Sequence, residues 1–138
     1  MQLMTHLGFT GQCEEAFRFY ETCLGGKIAM MMKYGESPMA AQTEEAWRDK
    51  IMHAALYVGD AVIMGADAPP GRGSKPSGFC AAIQLKGDEE AEAKRIFAAL
   101  SEGANVQMPL APTFWAKQFG MLIDRYGTPW MVNCGVMQ

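Results

Sequence analysis

The chain has 138 residues, of which 49 % are hydrophobic and 20 % are charged; this composition indicates one folded domain and excludes a disordered chain. The formal net charge is −3 and no basic patch accompanies it, so nucleic acid is not expected as a partner. No apolar run approaches the roughly 20 residues of a membrane helix, and residues 1–6 lack the pattern of a signal peptide, so we expect a cytoplasmic protein without membrane contact.

The first half of the chain predicts a strand, a helix and three further strands. Residues 3–10 alternate, with Thr5 and Phe9 on one face and His6 on the other. A helix with apolar residues at helical spacing follows, and Gly25-Gly26 ends it. The next strands are predicted at 27–34, 51–58 and 61–66.

The second half repeats this order after a segment at 67–78 that holds three prolines and three glycines. A strand at 79–85 precedes a helix that Asp88 caps. A strand at 106–110, a loop at 112–119 and a hairpin turning at 124–127 complete the chain. The sequence therefore predicts an α+β fold of two strand–helix–strand–strand–strand modules, about 1–67 and 78–138, in one domain.

Motifs along the whole chain support a family resemblance. They include Phe9-Thr10-Gly11-Gln12-Cys13-Glu14-Glu15-Ala16, Leu24-Gly25-Gly26, Tyr34-Gly35-Glu36, His53-Ala54, Thr113-Phe114-Trp115 and Asp124-Arg125-Tyr126-Gly127-Thr128-Pro129-Trp130. In these residues the chain resembles the vicinal oxygen chelate superfamily (glyoxalase, bleomycin-resistance protein, extradiol dioxygenase), and most closely its PhnB-like branch. The resemblance implies two βαβββ modules that form a curved sheet around a cleft, and a homodimer.

The resemblance also locates where metal-using relatives hold their ligands, typically His, Gln or Glu. The first of these positions falls at Thr5, next to His6, and the last falls at Met131, while 79–85 contains neither His nor Glu. Divalent first-row metals prefer imidazole and carboxylate ligands. We therefore expect no metal cofactor.

The leading functional hypothesis is a PhnB-like protein that binds a small organic molecule in the cleft, with or without turnover. One alternative is a metal-dependent lyase, isomerase or dioxygenase of the same superfamily. Another is a non-catalytic, drug-sequestering protein of the resistance type. The methyltransferase activity often attached to PhnB-like proteins is not expected, because no glycine-rich strand-to-helix turn is available for the methyl-donor cofactor.

Eight residues are candidates for ligand binding, and each also has a structural explanation. His53, the candidate catalytic residue, is either a base in the cleft or a hydrogen-bonded, half-buried histidine. Asp67 is either a ligand or a turn cap, and Glu36 is either a cleft residue or a solvated loop acid. Trp115 and its neighbour are either cleft wall or core. The full set is Phe9, Tyr34, Glu36, His53, Asp67, Phe114, Trp115 and Met131.

The chain also contains four cysteines, none of them in a Cys-x-x-Cys pair. A reducing compartment would keep them as thiols. We expect all four to be small apolar side chains of the core: Cys13, Cys23, Cys80 and Cys134.

Overall fold

A computed structural model of the chain describes residues 4–68 and 80–136. The chain divides into two compact units, Met1–Pro76 and Ser77–Gln138. Each unit has the order strand, helix, strand, strand, strand, which confirms the α+β class and the two βαβββ modules. The predicted Pro- and Gly-rich segment lies, from residue 69 on, outside the described residues. No helix in the described ranges is long and apolar enough to cross a membrane.

In its described residues, 4–68, the first unit contains one α-helix and four strands, with three short 3₁₀ turns between the second and third strands. These elements are β1 (Thr5–Phe9), α1 (Cys13–Leu24), β2 (Lys27–Lys33), β3 (Ile51–Val58) and β4 (Ala61–Asp67). The strand order in the sheet is β1-β4-β3-β2. β1 and β4 are parallel, and the other neighbours are antiparallel.

The second unit repeats this arrangement. Its elements are β5 (Ala81–Leu85), α2 (Glu90–Leu100), β6 (Asn105–Ala111), β7 (Ala116–Ile123) and β8 (Pro129–Val136). The sheet order is β5-β8-β7-β6, again with one parallel pair, β5 and β8. The repeat predicted from the sequence is therefore also a repeat of sheet topology.

In each unit the helix packs on one face of its sheet through a phenylalanine that lies over a glycine. A Cβ added to Gly65 would lie 2.6 Å from the Phe17 ring, and a Cβ added to Gly120 would lie 2.6 Å from the Phe97 ring. Only glycine permits such close approach without a shift of the ring or the strand. Phe17 is fully buried, and burial of such a side chain stabilises the fold by about 1.5–3 kcal/mol.

Helix α1 follows the sequence pattern closely. Its buried face consists of Cys13, Ala16, Phe17, Tyr20 and Cys23. Gly25 adopts a left-handed conformation with φ 70°, and its N–H donates to the carbonyl of Glu21. A residue with a side chain is strained in this conformation, so the glycine ends the helix as predicted.

Two local predictions were wrong. Asp88 does not cap α2, which begins at Glu90; instead the Glu89 carboxylate accepts the N–H of Lys86 at 2.7 Å. The predicted loop at 112–119 is also shorter, because β7 begins at Ala116. The Thr113 hydroxyl accepts the N–H of Ala116 at 3.1 Å, which closes a tight turn before the strand.

The cysteines are core residues with one exception. Cys13, Cys23 and Cys134 are buried, as predicted, but Cys80, the residue before β5, is exposed. Burial, together with the nearby charges of Asp67 and Glu14, raises the pKa of Cys13 to about 12. Burial also raises the pKa of Cys134. Because the thiolate is the reactive form, these buried thiols are expected to be inert.

We therefore predict that one thiol of the native protein reacts rapidly with a disulfide reagent at about pH 8. Cys80→Ser should remove this rapid phase, whereas Cys23→Ser should leave it intact. Unfolding in denaturant should expose all the thiols. A rapid phase that survives in Cys80→Ser would contradict the assignment.

Candidate functional site

The helix-free side of the first sheet, here called the first face, carries both histidines of the chain. Gly65 points toward α1, so the next residue back, Met64, points away from the helix. His6 is the register partner of Met64 on β1, and Ala55 is its partner on β3. His53 lies two residues before Ala55 on the same strand and therefore shares this face, where it is half-buried. Its catalytic role stays a prediction.

This geometry corrects one part of the family-based alignment. Thr5, assigned above to the first ligand position, shares the helix side of β1 with Phe9. The Phe9 ring packs edge-on against Phe17 of α1 at 6.2 Å, which fixes the side to which odd-numbered residues of β1 point. Alternation along the strand then places His6, not Thr5, on the helix-free side.

Asp67 has a structural role, because its buried carboxylate accepts three backbone N–H groups. Oδ1 accepts from Gly11 at 2.8 Å and from Cys13 at 3.0 Å, and Oδ2 accepts from Ile51 at 2.9 Å. The side chain is 1 % exposed. It therefore fastens the start of α1 and the start of β3 to the end of β4, and its predicted role as a ligand-binding residue is withdrawn.

Three other candidates of the first unit also have structural partners. Phe9 is buried against α1 and belongs to the core, which favours a structural role. The Tyr34 hydroxyl donates to the backbone carbonyl of Asp67 at 2.8 Å, and burial, with the charge of Asp67, raises its pKa. Glu36 is exposed and its carboxylate faces the N–H of Lys33, which fits a solvated loop acid.

The helix-free side of the second sheet, here called the second face, has a different chemistry. Gly120 points toward α2, so its neighbours Phe119 and Met121 point away from the helix. Register pairing then defines two rows that cross three strands. One row is Ala82, Met131 and Met121; the other is Gln84, Asn133 and Phe119.

Aromatic rings cover one end of the second face. The Trp115 ring lies 5.2 Å from the Phe119 ring at an interplanar angle of 67°, and the Phe114 ring lies 4.8 Å from Trp115 at 81°. Phe119 is 7 % exposed, whereas Phe114 is 87 % exposed. The exposure of Trp115 is intermediate between these two. It therefore rests on the core through Phe119 and keeps part of its ring in solvent.

Gln84, Asn133 and Phe119 are not among the site residues predicted from the sequence. A signal for the two amides was present, because each alternates with apolar residues on its strand. Gln84 lies between Ile83 and Leu85, and Asn133 has apolar neighbours on both sides. Period-two alternation assigns both amides to the face opposite the core.

The residues present do not fit the metal site that the resemblance implies. In the described ranges, no three side chains of His, Cys, Asp or Glu come together in a group that could hold a metal ion. The two rows of the second face contain no residue of these four types. The thioether of a methionine such as Met131 is a poor substitute for imidazole or carboxylate at a divalent first-row metal.

Comparisons with known proteins by family, by sequence and by structure agree with one another. Residues 4–132 match the family model of the Glyoxalase/Bleomycin resistance protein/Dioxygenase superfamily. Protein YjdN of Escherichia coli (strain K12) is 32 % identical over 141 residues, covering 96 % of this chain and 95 % of that protein.

Two solved structures show the same fold along almost the whole chain. Protein PA1353 from Pseudomonas aeruginosa is 47 % identical with a TM-score of 0.84, covering 98 % of both chains. The PhnB protein from Bacillus cereus, whose description names a 3-demethylubiquinone-9 3-methyltransferase, is 23 % identical. Its TM-score is 0.79, and the match covers 98 % of this chain and 100 % of that one.

Proposed function

The chain belongs to the glyoxalase/bleomycin resistance protein/dioxygenase superfamily, and we propose that it binds a small organic molecule on the second face, without the usual metal ligands of that superfamily. The observation that carries this proposal is the aromatic cluster of Phe114, Trp115 and Phe119. In this cluster Phe119 is buried, Trp115 is partly exposed and Phe114 is exposed. Ligand sites are mostly apolar, with few polar groups that fix orientation.

The remaining surface of the second face supports the same function. Met121 and Met131 are register partners in the middle of the sheet and are both partly exposed. Methionine is flexible and polarisable, so a face built from it adapts to ligands of different outline. Gln84 and Asn133 supply hydrogen-bonding groups beside the aromatic rings.

A fragment screen by saturation-transfer NMR tests the proposal. We expect aromatic fragments to bind wild-type protein, and Trp115→Ala to weaken them by about tenfold. Tyr57→Ala is a matched control, because Tyr57 is an exposed aromatic residue on the first face and its loss should leave affinity unchanged. Equal affinity of the wild type and Trp115→Ala for every hit would overturn the proposal.

We do not propose the methyltransferase activity named for the Bacillus cereus protein. An identity of 23 % supports the fold alone. The two strand-to-helix connections in the described residues, 10–12 and 86–89, contain one glycine each. Neither is the glycine-rich turn that brings the backbone close to a nucleotide-like cofactor.

We predict that protein purified without a tag holds less than about 0.1 equivalent of zinc, nickel, manganese or iron, because the ligand set these metals prefer is missing. Elemental analysis by mass spectrometry measures this directly. One tightly bound metal per chain would refute the prediction. His6 and His53 would then be the first ligands to replace.

We also predict a homodimer. Each sheet has two outer strands, β1 and β2 in the first and β5 and β6 in the second. Unpaired strand edges are prone to further pairing unless they are covered. Light scattering at micromolar protein should give about twice the chain mass of 15.1 kDa. A value near 15.1 kDa would show that the chain is monomeric.

A further inference from the structure

We propose that the second face selects uncharged, planar molecules that carry an amide-like edge, meaning a carbonyl beside an N–H. Gln84 and Asn133 pair with this edge, and Trp115 supports the flat surface of the molecule. This inference rests on the proposed binding function and specifies its ligand class.

The two amides form an adjacent pair on the face. Gln84 on β5 is the register partner of Asn133 on the parallel strand β8, so their backbones lie about 4.8 Å apart. A carboxamide offers both donors and an acceptor. Within the described ranges neither side-chain amide has a hydrogen-bond partner, whereas Gln118, on the helix side, donates to Glu90 at 3.3 Å.

The position of Asn133 is unusual for this residue type. β8 is an inner strand between β5 and β7, and Asn133 is only partly exposed there. Asparagine is depleted in strands, where β-branched and aromatic residues pack better. A structural role on an inner strand would be better served by valine. The amide is therefore better explained by recognition of a polar group than by sheet stability.

The aromatic rings adjoin the amide pair. Asn133 is the register partner of Phe119 on β7, and the Trp115 ring packs against Phe119. The row therefore runs from hydrogen-bonding groups to a ring surface over three neighbouring strands. A flat molecule placed on this row meets amides at one edge and rings beside them, an arrangement that favours planar ligands.

The charge of the ligand follows from the composition of the two rows. None of their six residues, Ala82, Gln84, Phe119, Met121, Met131 and Asn133, is ionisable. A charged group that leaves water for these two rows loses hydration without gaining a counter-ion from any of their six residues. The face should therefore discriminate against carboxylates and amines of similar shape.

Three probes of similar size test the inference: 2-quinolinone, N-methyl-2-quinolinone and 2-naphthoate. The first has the full amide edge, the second lacks the N–H, and the third is charged. We expect wild-type protein to bind 2-quinolinone at least about tenfold more tightly than either of the others, because a buried polar group left unpaired is costly.

Two nearly isosteric variants assign this preference to the amides. Gln84→Met and Asn133→Leu should each reduce it to less than about threefold, with little change for the N-methyl compound. Gln42→Met, in an exposed 3₁₀ turn of the first unit, is the matched control and should keep the full preference. Thermal unfolding checks that the variants are folded. If Asn133→Leu does not fold, Gln84→Met alone tests the inference, because Gln84 is exposed.

The outcomes separate this inference from the proposed function. Equal affinity for the three probes, with loss of all three in Trp115→Ala, would overturn the inference and leave the binding function standing. Tightest binding of 2-naphthoate, or full preference in Gln84→Met, would also overturn it. If none of the three binds at millimolar concentration, the inference fails, and the fragment screen alone decides the binding function.

Discussion

Replacing Asp67 with alanine is expected to lower the free energy of unfolding by about 3–5 kcal/mol, because each buried N–H left without an acceptor costs about 1–3 kcal/mol. The carboxylate accepts the N–H groups of Gly11, Cys13 and Ile51. The first two precede or begin α1, and the third begins β3. The variant therefore loosens two elements at once.

Urea unfolding of three variants measures this effect. Asp67→Asn keeps the shape and one acceptor oxygen, so its free energy of unfolding should fall by an intermediate amount, about 1–3 kcal/mol. Asp60→Ala, in the exposed turn between β3 and β4, is the control and should change stability by less than about 0.5 kcal/mol. If Asp67→Ala were as stable as Asp60→Ala, the structural role would be wrong and a ligand role would regain support.

The second large effect is expected for Trp130→Ala, with Trp115→Ala as its matched partner in the same unit. Trp130 is 1 % exposed, and its indole N–H donates to the buried carboxylate of Asp124 at 2.8 Å. Loss of such a residue costs about 3–5 kcal/mol. Trp115 packs on Phe119 but keeps part of its ring in solvent, so its loss should cost less than about 1.5 kcal/mol.

Thermal unfolding distinguishes the two tryptophans. For a chain of this size we expect Tm to fall by about 10 °C or more in Trp130→Ala and by less than about 5 °C in Trp115→Ala. Ligand affinity should show the weakening predicted for Trp115→Ala in the fragment screen. A fall of about 10 °C or more in Trp115→Ala would instead place this residue in the core, against the proposed site.

The fold was predictable because its determinants are local and repeated. Alternation in β1, helical spacing in α1 and the turn at Asp124 are all visible within short stretches. Asp124 accepts the N–H groups of Tyr126 and Thr128, both within four residues. The repeated element order in the second half then predicted a second module of the same kind.

The candidate site was less predictable because its contacts are distant in sequence. Asp67 bonds Gly11 across 56 residues and Cys13 across 54, so a local pattern showed only a strand end before a proline-rich segment. The adjacency of Gln84 and Asn133 likewise depends on parallel pairing of β5 with β8. The first ligand position was assigned to Thr5, and only the packing of Phe9 against α1 shows that Thr5 lies on the helix side and His6 on the other.

Mapping of amide chemical shifts shows directly whether a small organic molecule binds the second face. Isotope-labelled protein is titrated with the strongest fragment from the screen. The largest shifts are expected at residues 82–84, 119–121 and 131–133, which contain the two rows, and at 114–115. Shifts confined to the first unit, or scattered without a cluster, would contradict it.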